Sequence, residues 1–220
     1  MRSSHYFGIG LASTAMMSPV LFAVIAVSSL TVSPDTVSSG GTATATVTLD
    51  ASSITLVPIA VSSSNPSVAT VPSKIDLGGR LGTRGTFPVK TVLGAAGCTN
   101  IAARAGTSPA RSTIFYVQPP VSNGPVTLSL STGLAQGATT LTGTVRVNQP
   151  TNGSVQLTSS NPAVTVPATV TLIPNEIGIS IGTFPIHTTQ PSAATCAIIT
   201  ATFGGNQGRA LLKLNTLFFG

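Results

Sequence analysis

The pentapeptide GISIG, Gly178–Gly182, has the G-x-S-x-G spacing of a nucleophile elbow, in which a serine on a sharp strand-to-helix turn attacks an acyl carbon. That chemistry also needs an acid and then a histidine later in the chain. No Asp or Glu follows Ser180. The local alternation instead puts Ile179 and Ile181 on one face and Ser180 on the other, as in a sandwich strand. No catalytic residue is therefore expected, and the chain reads as non-enzymatic.

Metal chemistry fares no better. Cys98, Cys196, His5 and His187 lack zinc-site spacing, and Asp35, Asp50, Asp76 and Glu176 form no calcium loop. Neither a metal nor a cofactor is expected. The two cysteines still carry information, because each half of the chain has one at the same place in its unit. Equivalent points of tandem sandwiches normally lie tens of ångströms apart, beyond the narrow reach of a disulfide. An internal Cys98–Cys196 bridge is thus not expected. A buried inert thiol is the preferred role, with an intermolecular bridge as the alternative.

Charge narrows the partners. Ten Lys and Arg stand against four Asp and Glu, giving a net charge of +6, yet the charged residues are only 6% of the chain. The basic residues are scattered singly with no stacking aromatics between them, so no stripe for a phosphate backbone forms and nucleic acid is not expected as a partner. A sugar-stacking platform is also poorly supplied, with no Trp and only Tyr6 and Tyr116. Asn152-Gly153-Ser154 fits an N-glycan acceptor, but reads more simply as a tight turn between TVRV and SVQL.

The elements that would position any site follow from a repeat. SSNP at Ser63–Pro66 returns at Ser159–Pro162, GTFPVKT from Gly85 returns as GTFPIHT from Gly182, and Cys98 returns as Cys196, at offsets of 96, 97 and 98. His187 matches Lys90 and reads as a solvated strand residue. The period is that of a whole small β-domain. Within each copy, short alternating runs rich in Val, Thr and Ile are separated by Gly, Asn, Ser and Pro clusters. About seven such strands in roughly 90 residues is the pattern of an immunoglobulin-like sandwich. SSNP then reads as a corner: Ser63 and Ser64 end a strand, Asn65 makes the turn and Pro66 forbids further ladder bonding.

The join is QPPVSNGP, Gln118–Pro125, whose prolines continue neither ladder; Pro119 and Pro120 favour extended geometry that would hold the domains apart as a semi-rigid pair. At the other end, Ser3 to Pro34 contains no charged residue, and the apolar core SPVLFAVIAVSS follows Arg2, with VIA ending at Ala26 in the manner of a cleavage site. This reads as a secretory signal, with an anchoring helix or a retained apolar arm as alternatives.

The succession LTVSPDTVSSGGTATATVTLD, SSNPSVATVP and AIITATFGG resembles the bacterial Ig-like repeats of secreted and cell-surface proteins. The resemblance covers roughly Ser29 to Thr216 and implies a stalk, spacer, adhesion or accessory role. The expected fold is all-β, two tandem immunoglobulin-like β-sandwich domains: a leading segment 1–27, sandwiches 28–118 and 126–220, and a linker 119–125. The expected function is a non-enzymatic, exported structural or adhesive protein of the cell surface. Its partners would be other protein subunits or cell-surface components, with membrane contact only through an uncleaved amino-terminal segment. The alternative is a self-assembling extracellular filament or shell subunit, because sparse charge leaves sheet edges weakly defended. In it, the amino-terminal arm or the terminal TLFFG completes a neighbour's sheet. A carbohydrate-binding accessory module ranks third.

Overall fold

The computed structural model describes residues 24–122 and 124–216. His5, Tyr6, most of the leading apolar segment and most of TLFFG lie outside these residues. The first sandwich contains β1 (Val27–Ser33), β2 (Thr36–Ser38), β3 (Thr42–Leu49), β4 (Leu56–Ser63), β5 (Ala69–Thr70), β6 (Lys74–Gly78), β7 (Arg84–Thr91), β8 (Gly97–Ala105) and β9 (Arg111–Gln118). The second contains β10 (Val126–Leu130), β11 (Leu134–Gln136), β12 (Thr139–Val147), β13 (Ser154–Ser159), β14 (Val164–Thr165), β15 (Thr169–Thr171), β16 (Ile173–Pro174), β17 (Ser180–Thr188), β18 (Thr195–Phe203) and β19 (Asn206–Asn215).

In each unit two sheets face one another. The first pairs β1-β3-β7-β5 with β2-β9-β8-β4-β6, and the second pairs β10-β12-β17-β14 with β11-β19-β18-β13-β15. The opening strand is split in both: β1 joins β3 antiparallel, then the chain crosses through Pro34 and Asp35 so that β2 joins β9 in parallel. A cis Ser33–Pro34 peptide lies at this crossover. Strand order and crossing between sheets are those of an immunoglobulin-like sandwich.

Alternation explains the cores. Ala43, Ala45, Val47 and Leu49 of β3 face Ile101, Ala103 and Ala105 of β8, with Phe87, Val89 and Phe115 filling between them. Val145, Phe184, Ile186, Ile199 and Leu212 do the same in the second unit. The repeated GTFP motif now has a physical content. Phe87 and Phe184 are both buried, and each lies opposite a small residue, Ala45 or Gly143. A Cβ on Gly143 would overlap the Phe184 ring. The motif's last residue is buried as well: Thr91 Oγ1 donates to Gly41 O at 2.9 Å, and Thr188 Oγ1 donates to Gly137 O at 2.8 Å. In each copy one hydroxyl ties β7 or β17 to the turn before β3 or β12.

Several expectations need correction. Each copy has more than seven strands: Pro34 separates β2 from β1, the run at 164–173 divides around Pro167 into β14, β15 and the start of β16, and Lys74–Gly78 adds β6. Asn152-Gly153 is not a hairpin turn. β12 pairs β17 while β13 pairs β18, so the connection between them passes from one sheet to the other. Val27, placed by its sequence in the leading segment, is the first residue of β1. Just before it, Ala26 N–H donates to Asp50 Oδ1 at 2.9 Å and Ile25 O accepts the Ser108 hydroxyl at 3.2 Å.

Candidate functional site at the domain junction

The residues that gather are those left on the outer faces of two sheets, β2-β9-β8-β4-β6 and β11-β19-β18-β13-β15. In β8 the inward residues are Thr99, Ile101 and Ala103, so Cys98 points out; in β9 Phe115 and Val117 point in, so Ile114 and Tyr116 point out. In the second unit Ala197, Ile199 and Leu212 point in, leaving Cys196, Ile198 and Leu211 outside. These two outer faces pack against each other as a third apolar cluster, of Tyr116, Cys196, Ile198 and Leu211 with Ala96, Cys98 and Ile114.

Cys98 and Cys196 form a disulfide with their Cα atoms 6.0 Å apart. This overturns the expectation of separate thiols. The premise that failed was end-to-end stacking: the domains meet through the faces of equivalent sheets, and such an arrangement brings equivalent positions together. The expectation that the linker prolines hold the domains apart fails with it, since the two units are in contact. Across the same junction Lys213 Nζ lies 3.3 Å from Asp35 Oδ2 and 4.5 Å from the centroid of the Tyr116 ring. Burial raises the Tyr116 hydroxyl above its ordinary pKa, and the Asp35 carboxylate adds to the shift.

The SSNP corners hold the cysteine-bearing strands. Ser64 Oγ accepts the Asn100 N–H at 2.9 Å, and Ser160 Oγ accepts the Ile198 N–H at 2.8 Å. Asn161 Nδ2 also donates to Cys196 O at 2.9 Å. In the first copy the buried Thr99 hydroxyl replaces that bond, meeting Ser63 Oγ at 2.8 Å and the Asn65 N–H at 2.9 Å. The repeated phrase is a structural corner, as its residue types predicted, and it also frames the junction.

Beside the disulfide lies an open cleft of about 400 Å³, walled by Asn65, Ala96 and Cys98 on one side and Thr158, Cys196 and Arg209 on the other. A groove of about 380 Å³ runs under the linker between Pro119, Pro120, Leu128 and Leu130, and Arg209 lines this as well. Arg209 thus stands between the two.

The remaining candidates are dispersed. Ser180 of GISIG is fully buried at the start of β17; its Oγ accepts the Thr151 N–H at 2.8 Å and lies 2.9 Å from Gln149 O. It anchors the loop before β13. His187 is exposed on β17, with Nδ1 3.0 Å from Thr140 Oγ1. Among the described residues no three His, Cys, Asp or Glu side chains converge on a point that would hold a metal.

Fold and junction together define a tandem immunoglobulin-like β-sandwich protein with a disulfide-locked domain pair. No family model and no curated protein matches the chain. Among solved structures it is similar to the D0-D1 domain of intimin, at 15% identity and a TM-score of 0.36 over 87% of this chain and 100% of that one. A protein of unknown function from Porphyromonas gingivalis W83 gives 13% and 0.37, covering 84% of this chain and 99% of that one. Domains 4 and 5 of the S-layer protein SbsC give 16% and 0.27, covering 87% and 99%. At these values the likenesses carry no argument. The immunoglobulin-like assignment rests on the strand order itself.

Proposed function

We propose that this chain is an exported, non-enzymatic structural or adhesive protein of a cell surface, related to the bacterial Ig-like repeats and acting as one pre-stiffened two-domain unit. The observation that carries this reading is the Cys98–Cys196 bond across the domain boundary. Structural disulfides persist mainly in oxidising compartments. A covalent clasp between domains also fixes the relative placement of the faces offered to a partner, so that less ordering entropy is lost on contact. Surface biotinylation of intact producing cells, followed by non-reducing peptide mapping, tests this directly. Labelled protein carrying a Cys98–Cys196 cross-linked peptide is expected. Unlabelled cytosolic protein with two free thiols would sink the proposal.

A second reading, assembly by strand addition, draws support from the edge strands. β1 (VSSLTVS) and β10 (VTLSL) each pair on one side only and carry no charged residue. Each has its first carbonyl occupied, Val27 O by Arg111 Nε and Val126 O by the Ser122 hydroxyl, and Gly208 of β19 backs Val126 O and Leu128 N, so strand addition would use β1. Negative-stain images across a concentration series decide it: ordered polymers support addition, and two-lobed particles at every concentration oppose it.

A further inference from the structure

The duplication supplies an internal control for finding a ligand site, because equivalent positions built for the same fold need not differ in chemistry. On the outer face of the second unit, strand register sets Thr158 beside Thr200 and Thr200 beside Arg209, a row of two hydroxyls and a guanidinium across β13, β18 and β19. The same row in the first unit is Ser62, Ala102 and Ser112. Only the second copy carries a cation there. It is also the copy in which the row forms a wall of the junction cleft, opposite Asn65 and Ala96.

Arg209 lacks a counter-ion among the described residues, where the ion pairs are Lys74–Asp76 and Lys213–Asp35. The other acids do not serve it: Asp50 Oδ1 accepts the Ala26 N–H, and Glu176 lies on the loop before β17. Among the described residues neither Thr158 nor Thr200 spends its hydroxyl on a hydrogen bond as Thr91 and Thr188 do. One row further from the junction, register places Gln156 beside Thr202 and Thr202 beside Gln207, all on the same face. A guanidinium is a forked donor suited to planar or tetrahedral oxyanions, and the surrounding hydroxyls and amides suit a polyhydroxylated ligand. Clefts at domain boundaries with a few convergent polar groups are where small ligands bind.

We propose that the Thr158–Thr200–Arg209 row binds an acidic saccharide, its carboxylate or sulfate on Arg209 and its hydroxyls on the threonines and the glutamines beyond. This site stands independently of the surface reading and would exist wherever the chain resides. It needs no aromatic platform, since charge-assisted bonding replaces ring stacking.

Isothermal titration of the whole, disulfide-intact chain tests it against four probes of matched length: a polyuronate oligosaccharide, a sulfated oligosaccharide, a neutral oligosaccharide and an acidic peptide. Binding of one or both acidic saccharides, with the neutral sugar and the peptide silent, is expected; the arm that responds identifies the anion. Arg209→Ser, which installs the residue found at the equivalent Ser112, should weaken binding roughly 10- to 100-fold, and Thr200→Val should weaken it several-fold. Arg104→Ser, on the other unit, should leave it unchanged. Unaltered melting and an intact cross-linked peptide establish that Arg209→Ser remains folded. Equal binding by wild type and Arg209→Ser, equal binding of neutral sugar, binding of the peptide alone, or silence of all four would each overturn the proposal.

Discussion

Lys213 and Tyr116 occupy the same position in the two copies of the fold, and they touch. Tyr116 faces Cys98 across β8 and β9, as Lys213 faces Cys196 across β18 and β19. Ile114 and Leu211 are likewise equivalent, each two residues earlier in its strand, and both lie in the junction cluster. Packing of equivalent faces with equivalent residues in contact is the arrangement that an approximate twofold axis beside the disulfide gives. The chain has built internally the kind of interface a symmetric dimer builds between subunits.

Replacing both cysteines with serine should lower stability by about 2–5 kcal/mol, since the bond closes a 98-residue loop and unlinks two domains when lost. Both sandwich cores remain, so circular dichroism should keep its strand signature. Denaturation of wild type and Cys98→Ser/Cys196→Ser under identical buffer measures the difference, and a change below about 0.5 kcal/mol would contradict it.

Alkaline pH should loosen the junction. Burial first, and Asp35 second, raise the Tyr116 pKa in the folded state, so the fold favours the neutral phenol. The resulting stability is fully present below the unfolded value of about 10 and is lost as pH rises through the higher folded value. Tyr116→Phe is the reference that isolates the phenol, since it keeps the ring and removes only the hydroxyl. The stability difference between wild type and Tyr116→Phe should shift against wild type as pH rises above about 10; parallel curves would rule out the linkage.

Gly143→Val should destabilise the second unit by about 1–3 kcal/mol, because the added atoms occupy the space of the Phe184 ring. Ala45→Val, at the equivalent place opposite Phe87, starts from a residue that already has a Cβ and should cost less. Guanidinium denaturation of the two variants orders them.

Ser180→Ala should cost about 1–3 kcal/mol, stranding the half-buried Thr151 N–H that the hydroxyl accepts. Its effect is on stability and on protease sensitivity of the loop at 148–153. Ester hydrolysis measured against buffer should show no Ser180-dependent rate in either protein; a rate lost in the variant would reopen the nucleophile assignment.

Much of this organisation is readable in the residue order. Alternation separates Thr99, Ile101 and Ala103 from Cys98, and it places Tyr116 opposite to Phe115 and Val117, so the outward direction of the junction residues is implicit. TCAIITATF carries a further signal: its unbroken apolar run marks a strand buried on both faces, where a sandwich strand with one wet face would alternate. What alternation cannot supply is the partner of such a face. The docking angle of two domains depends on shape and on a linker that leaves β9 and enters β10 along the side of the second unit, neither of which has a local pattern. The site row was hidden for the same reason, since Thr158, Thr200 and Arg209 come together only through sheet register.

The disulfide has a mechanical meaning. Tension applied to the flanks of the two-domain unit would pass from the first sandwich to Cys98, cross directly to Cys196, and leave through β19. The 98-residue span between the cysteines, roughly 330 Å of chain if extended, is bypassed as long as the bond holds. The linker and most of the second sandwich thus bear no load, and the unit can stretch only by the part outside the clasp. Reduction by a thiol would restore that hidden length to the force path, converting a short stiff element into a long compliant one.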